Sequence, residues 1–343
     1  MHASSAKVAK NTERAARISS RPFLAIGICT FERNEPLLEL LESIGGQTGQ
    51  IDADIVILIV DNNPIPTVPR DRVRNSTPYS FRVVHEPQTG LVHARNRLFD
   101  LAEEADADWL IGVDDDVIAE PDWLSEWIRG LNVADTDILI GSVELTFHAS
   151  ASPYLSRRPF SNPETGKEPR VLATTNYAIS QRVFARSKGL GLRYHPAFNQ
   201  IGGEDAEFFL RAKRQYRYVT HGWPSALVTE AQNGDRGTLL YHLNRTLCTQ
   251  MNAYYIAALH RRDKLMDKPA PLAFVLIRRT VRNLVRGLLR LGAGIATLPS
   301  SRTAAQQTIG MGLSDMTRAF AVVSYLLGKK YRRYGNTATH GTD

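Results

Sequence analysis

The sequence predicts an α/β protein built on a mostly parallel, doubly wound sheet flanked by helices, with an amphipathic helical extension at the C-terminal end. Three observations predict it. Short apolar runs alternate with segments of helical period over residues 22–117. The polar residues fall just after the runs, where open parallel sheets bind ligands. The charge balance changes sign after residue 260. In order along the chain, Phe23–Cys29 reads as a buried strand, and Pro36–Ile44 as a helix with Asn34 as its candidate cap. Thr30-Phe-Glu-Arg-Asn-Glu35 lies between them. A second strand, Ile55–Val60, ends at Asp61-Asn-Asn-Pro64, and a third, Phe81–His85, leads into Gln88-Thr-Gly-Leu91. A helix from about Val92 to Ala105 then feeds the strand Trp109–Val113, and Asp114, Asp115 and Asp116 follow where that strand ends. Further on, Ile138–Phe147 reads as a strand, residues 148–170 as a long loop of the kind that covers active sites, and Glu204–Arg214 as a helix.

Composition narrows the classes. With 343 residues and 43% hydrophobic content the chain can bury a substantial core. Its 2 cysteines, Cys29 and Cys248, form neither a disulfide framework nor a zinc spacing, and fit a reducing cytosol. No apolar segment follows the basic start as a signal peptide would, and none is long enough to span a bilayer. The net charge of +7 is uneven: from Arg261 onward 15 Lys and Arg meet 4 Asp and Glu, a balance of +11, leaving −4 for the rest.

Three adjacent carboxylates at a strand end repel one another and call for a counter-charge. Alternate residues of an extended segment share a face, so Asp114 and Asp116 are expected to converge while Asp115 points elsewhere. Oxygen-only ligands suit Mg²⁺ or Mn²⁺, and Mg²⁺ keeps positions for water and phosphate, which makes a nucleoside diphosphate the natural partner. The plainer alternative is a solvated acidic turn in which Asp115 or Asp116 caps a helix starting near Pro121.

The ordered series Thr30-Phe-Glu-Arg-Asn-Glu, Val60-Asp-Asn-Asn, Gly90-Leu-Val-His-Ala-Arg-Asn96, Val113-Asp-Asp-Asp and Gly202-Gly-Glu-Asp-Ala-Glu-Phe-Phe-Leu-Arg211 resembles the family 2 glycosyltransferases of GT-A fold, over roughly residues 22–235. The resemblance implies a nucleotide-binding half, 22–117, and an acceptor half, 118–260, in a metal-dependent, inverting enzyme that moves sugar from a nucleotide sugar, taken as a UDP-sugar, to a glycan or lipid-linked saccharide. It implies donor contacts from Thr30, Phe31, Arg33, Glu35, Asp61, Asn62, Arg95, Asp114 and Asp115, and a metal on Asp116 with Asp114. It implies Asp205 as general base, with Asn176, Glu204 and Trp223 toward the acceptor and His221 beside Trp223. A role in bacterial exopolysaccharide biosynthesis is a further implication. A nucleotidyltransferase would show a Gly-x-Gly-x-Arg-type loop after the first strand, and this chain has none there. A noncatalytic sugar-nucleotide-binding or membrane scaffold protein would need no Asp205.

Residues 1–21 read as a basic, poorly ordered arm and 261–343 as a basic helical tail. Within a 270–291 helix, Arg279, Arg282, Arg286 and Arg290 fall on one stripe, with Ile277, Val281, Leu284 and Leu288 opposite. Such a helix is expected to lie on an anionic membrane with its arginine face toward lipid, placing a cytoplasmic enzyme peripherally on the inner face of the membrane. The alternative is a helical pair packed on the catalytic domain or on another subunit. The stripe lacks interleaved aromatics, which argues against nucleic acid.

Overall fold

The computed structural model describes residues 21–155, 161–169, 174–266 and 271–329. The expected N-terminal arm lies almost wholly outside the described residues, as do 156–160 and 170 of the long loop, 171–173, the first residue of the expected 270–291 helix and the end of the tail.

The strands are β1 (Phe23–Thr30), β2 (Asp54–Asp61), β3 (Ser80–His85), β4 (Trp109–Asp114), β5 (Val117–Ala119), β6 (Ile138–Phe147), β7 (Asn176–Ser180) and β8 (Thr220–Gln232). They form one 8-stranded sheet in the order β3-β2-β1-β4-β7-β6-β8-β5. β1, β2, β3 and β4 are mutually parallel, as are β6 and β8, while β7 and β5 run antiparallel to their neighbours. Helices cover both faces: α1 (Asn34–Gly45), α2 (Arg70–Ser76) and α4 (Trp123–Val133) on one, α3 (Leu91–Glu104), α5 (Gln181–Phe184) and α6 (Glu204–Tyr216) on the other. Period-two alternation in β1 feeds both cores, with Leu24, Ile26 and Ile28 on the α1 side and Ala25 on the α3 side.

Glycine inside these strands makes room for large neighbours. Gly27 and Gly112 are register partners on β1 and β4, and a Cβ on Gly112 would lie 2.1 Å from the Tyr177 ring. Asn34 does not cap α1; its amide donates to the Thr67 carbonyl at 3.0 Å, and the helix starts without a side-chain cap. Nor do Asp115 or Asp116 cap the next helix: the short strand β5 intervenes, and α4 begins at Trp123.

Three long helices follow the sheet: α7 (Leu239–Arg262), α8 (Leu272–Thr297) and α9 (Arg302–Leu326). Antiparallel α8 and α9 pack so closely that a Cβ on Gly287 would lie 3.2 Å from the Gly312 carbonyl. Three of the four stripe arginines turn toward protein and Arg282 stays exposed, so the stripe does not face outward as one surface. Arg290 donates to Asp315 of α9 at 2.6 Å, Arg286 approaches the same carboxylate at 3.8 Å, and Arg279 is half-buried beside Tyr254 of α7. Periodicity assigns two faces to a helix; a lone buried acid on the neighbour decides which of them turns inward.

Asp315 is 1% exposed and also accepts from Arg318 at 2.7 Å. Asp315→Ala leaves these partly solvated arginines without a counter-charge and is expected to cost about 2–3 kcal/mol, below the range for a fully buried pair. Urea unfolding measures the loss, and limited proteolysis should show earlier cleavage between α8 and α9.

Candidate active site

Parallel pairing of β1 with β2 and β4 sets Thr30 opposite Asp61 and Cys29 opposite Asp114, so the polar residues after each strand meet at one edge. Into that edge projects Arg95 from α3. It is buried, donates to Glu204 Oε1 at 2.6 Å and to Asp114 Oδ1 at 3.4 Å, and lies 5.6 Å from the centre of the Tyr194 ring. Burial works to lower its pKa; attraction from Glu204, Tyr194 and Asp114 more than reverses this, so Arg95 stays charged.

Asp115 and Asp116 share another guanidinium. Arg33 Nη1 lies 3.1 Å from Asp115 Oδ1 and 2.8 Å from Asp116 Oδ2, and Arg236 Nη2 reaches the same Asp116 oxygen at 2.8 Å. Arg236 also pairs with Glu230, at the end of β8, at 2.8 Å. The expected alternation of Asp114 and Asp116 against Asp115 therefore fails, because β4 ends at Asp114 and its two successors lie in a turn. Burial, with repulsion from Asp116 and Asp114 set against attraction from Arg33, pushes Asp115 up to about 6. Burial raises Asp114 and Glu230 as well. Among the described residues six carboxylates, Asp114, Asp115, Asp116, Glu204, Asp205 and Glu230, stand with four guanidiniums, Arg33, Arg95, Arg236 and Arg245, an excess of two negative charges.

That excess suits a divalent cation. Among the described residues no three His, Cys, Asp or Glu side chains form a ready-made metal cage. Mg²⁺ needs none where one or two carboxylates act together with water and phosphate, so the donor set of Asp116 and Asp114 fits such an ion.

Other expected contacts are committed elsewhere. Asp61, 1% exposed, accepts from the Asn63 backbone and amide at 3.1 and 2.7 Å and from the backbone N–H groups of Thr67 and Val68 at 2.6 and 2.9 Å. These four bonds fill a carboxylate's lone pairs, so Asp61 shapes the 61–68 loop and has no acceptor left for a donor base or ribose. Asn62 is likewise consumed, donating to the Glu86 and Gln88 carbonyls and accepting from Gly90 N–H. Glu35 is exposed and bonded to Arg72 of α2. Asn176, also 1% exposed, donates to the Ser142 and Ala226 carbonyls and accepts from Trp123 Nε1, which leaves it no face toward an acceptor. Trp223 belongs to the core, stacked over Gly130 of α4. His221 pairs with Leu139 within the sheet and is half-buried. Thr30 is buried beside Asp115, and Phe31 is exposed in the loop after β1.

The Glu-Asp pair of α6 divides. Gly202 and Gly203, at φ of +78° and +85°, turn the chain into the helix, Glu204 points inward to Arg95, and Asp205 stays half-buried. One Asp205 oxygen accepts from the Ala206 backbone at 2.7 Å, and its charge is felt at Asp114 and Tyr194. Behind it Glu207, fully buried, is held by Arg211 at 2.7 Å and by His260 of α7 at 3.1 Å. Sequence reasoning missed Arg236 and Glu230. Their signal is the turn Asn233-Gly-Asp-Arg-Gly237, which follows a strand whose place in the sheet must be known before the turn means anything.

Residues 25–191 match the family described as glycosyl transferase family 2. This segment, a little under half of the chain, is a family 2 glycosyltransferase domain, and the α/β sheet around it has the GT-A fold. Among solved structures the chain is similar to the mannosyltransferase PcManGT from Pyrobaculum calidifontis in complex with GDP-Man and Mn2+, with TM-score 0.52 and 16% identity over 91% of this chain and 89% of that one. S. aureus TarS 1-349 in complex with UDP-GlcNAc gives TM-score 0.49 and 12% identity over 90% and 93%. No curated protein matches the chain.

Asp61 also offers a stability test. Burial opposes its charge, but the N–H groups of Val68, Thr67 and Asn63 outweigh that and hold its carboxyl below the ordinary value. A depressed folded pKa stabilises the fold above the unfolded value of about 4 and stops doing so as pH falls through the folded value. Asp61→Asn is expected to cost about 2–4 kcal/mol at neutral pH, in line with loss of charged hydrogen bonds and an orphaned N–H. Unfolding followed against pH should show the difference from wild type shrinking below about pH 4.

Proposed function

We propose that this protein transfers a sugar, with inversion at the anomeric carbon, from a nucleoside diphosphate sugar to a hydroxyl of a glycan or lipid-linked saccharide in polysaccharide biosynthesis. The observation that carries the reading is the half-buried Asp205 carboxylate set beside a strand-end cluster of carboxylates and arginines. Asp205 takes the proton of the attacking hydroxyl. Glu204 is tied to Arg95 and so is not placed to act as a nucleophile, which supports one displacement and inversion over two displacements and retention. Arg33 and Arg236 sit on Asp116 as partly exposed counter-charges, and a diphosphate offers them bidentate partners of the same kind. Asp116, with Asp114, would hold Mg²⁺ or Mn²⁺, which when bound stabilises charge on the departing diphosphate. The Pyrobaculum enzyme of similar fold, described with GDP-Man and Mn2+, supports a nucleotide sugar with a divalent ion. UDP-sugar is the donor we assign, on the sequence resemblance.

The test combines binding with turnover. Calorimetry should show UDP bound more tightly than GDP, weakened by EDTA and restored by Mg²⁺ or Mn²⁺. Asp205→Asn should lower kcat for UDP-sugar turnover by about 10²–10⁴-fold, the contribution of a general base, and leave the UDP dissociation constant within a few-fold. Arg236→Ala should instead weaken UDP itself. If Asp205→Asn keeps its kcat, or loses UDP binding, the assignment of the base is wrong; undiminished UDP binding in EDTA overturns the metal.

A further inference from the structure

The outward face of α8 is apolar. Phe274, Ile277, Val281, Leu284, Leu288 and Ile295 are all exposed on it, along a helix of 26 residues. Val285 and Leu289, equally exposed, widen the face beyond the two-position seam of a coiled coil, to an arc of roughly 140° at 100° per residue. The face is not free to turn inward. Asp315 holds Arg286 and Arg290 from the other side, and the backbones meet at Gly287 and Gly312. At the end of the hairpin where α8 begins, α9 adds exposed Phe320, Val323 and Leu326. So much contiguous apolar surface marks a surface that something covers.

Charge decides between occupants. α8 contains no Asp or Glu; Arg278 falls within the arc at its N-terminal end and Arg282 borders it, both exposed. A second copy of this face would bring more arginines and no carboxylate to meet them. An anionic lipid surface offers both an apolar layer for the arc and a negative rim for the arginines. No described helix is long and apolar enough to cross a membrane. We infer that α8 docks in the plane of an anionic bilayer by its Phe274–Ile295 apolar face, with Arg278 and Arg282 at the headgroups and the inner arginines reserved for Asp315. The inference stands on the tail alone and does not depend on the glycosyltransferase chemistry.

Full-length protein is sedimented with vesicles of phosphatidylcholine alone and of phosphatidylcholine with phosphatidylglycerol. Wild type should pellet with the anionic vesicles and less with the neutral ones, and added salt should release it. Val281→Gln, Leu284→Gln and Leu288→Gln combined remove exposed side chains only; they should weaken vesicle binding about a hundred-fold or more while UDP-sugar turnover in solution and the melting temperature stay unchanged. Arg278→Gln with Arg282→Gln should remove the preference for anionic vesicles. Wild type that never pellets, or a triple-Gln variant that pellets equally, overturns the inference. So does a wild-type dimer that the triple-Gln change converts to monomer without vesicle binding, because the face then covers a second copy.

Discussion

The buried guanidinium of Arg95 is the constraint on which the site depends. It reaches from α3 to Asp114 at the end of β4 and to Glu204 at the start of α6, residues that lie 109 positions from it in the latter case. A guanidinium taken out of water must find carboxylates of good geometry or unfold its surroundings, so the pairing fixes the distance between the strand edge and α6. Asp205 follows Glu204 on the helix, and its direction is set by where its neighbour is tied. The Glu207, Arg211 and His260 contacts secure the same helix one turn later against α7. Asp205, the base proposed above, is thus oriented by its neighbours' ion pairs while its own carboxylate stays partly in water.

Around this tie the strand edge holds more negative than positive charge. Burial and mutual repulsion raise Asp114, Asp115 and Glu230 above ordinary carboxylates, and Arg95, Arg33, Arg245 and Arg236 offset only part of that. Both arginines converge on one oxygen of Asp116. In the function proposed above, a cation would relieve these carboxylates and a diphosphate would accept the arginines.

Much of the fold was legible. Apolar runs of strand length separated by helical period gave β1, β2, β3, β4 and β6 to within a residue or two of their ends, and with them the shared edge where Thr30, Asp61 and Asp114 meet. The short elements α2 and β5 escaped, because α2 carries one buried residue and β5 spans three positions. Residue type told where polar groups gather but not how their lone pairs are spent. Asp61, Asn62 and Asn176 sit where a binding site would want them, yet each is used up on backbone groups of adjoining loops and strands, which only coordinates reveal. Arg236 needed the sheet order, since β8 must lie beside β5 and β6 before its end joins the edge of β4. In the tail, periodicity found both faces of α8, and Asp315 drew Arg286 and Arg290 toward protein while the apolar face stayed outward.

A double-mutant cycle on Arg95→Met and Glu204→Gln, read by urea unfolding, tests the tie most directly. Each single change strands a buried partner and is predicted to cost about 3–5 kcal/mol, while the double should cost less than the sum by about 1–3 kcal/mol because neither charge remains unpaired. Costs that simply add, or single changes that cost nothing, would contradict the view that this ion pair holds the two halves of the site together.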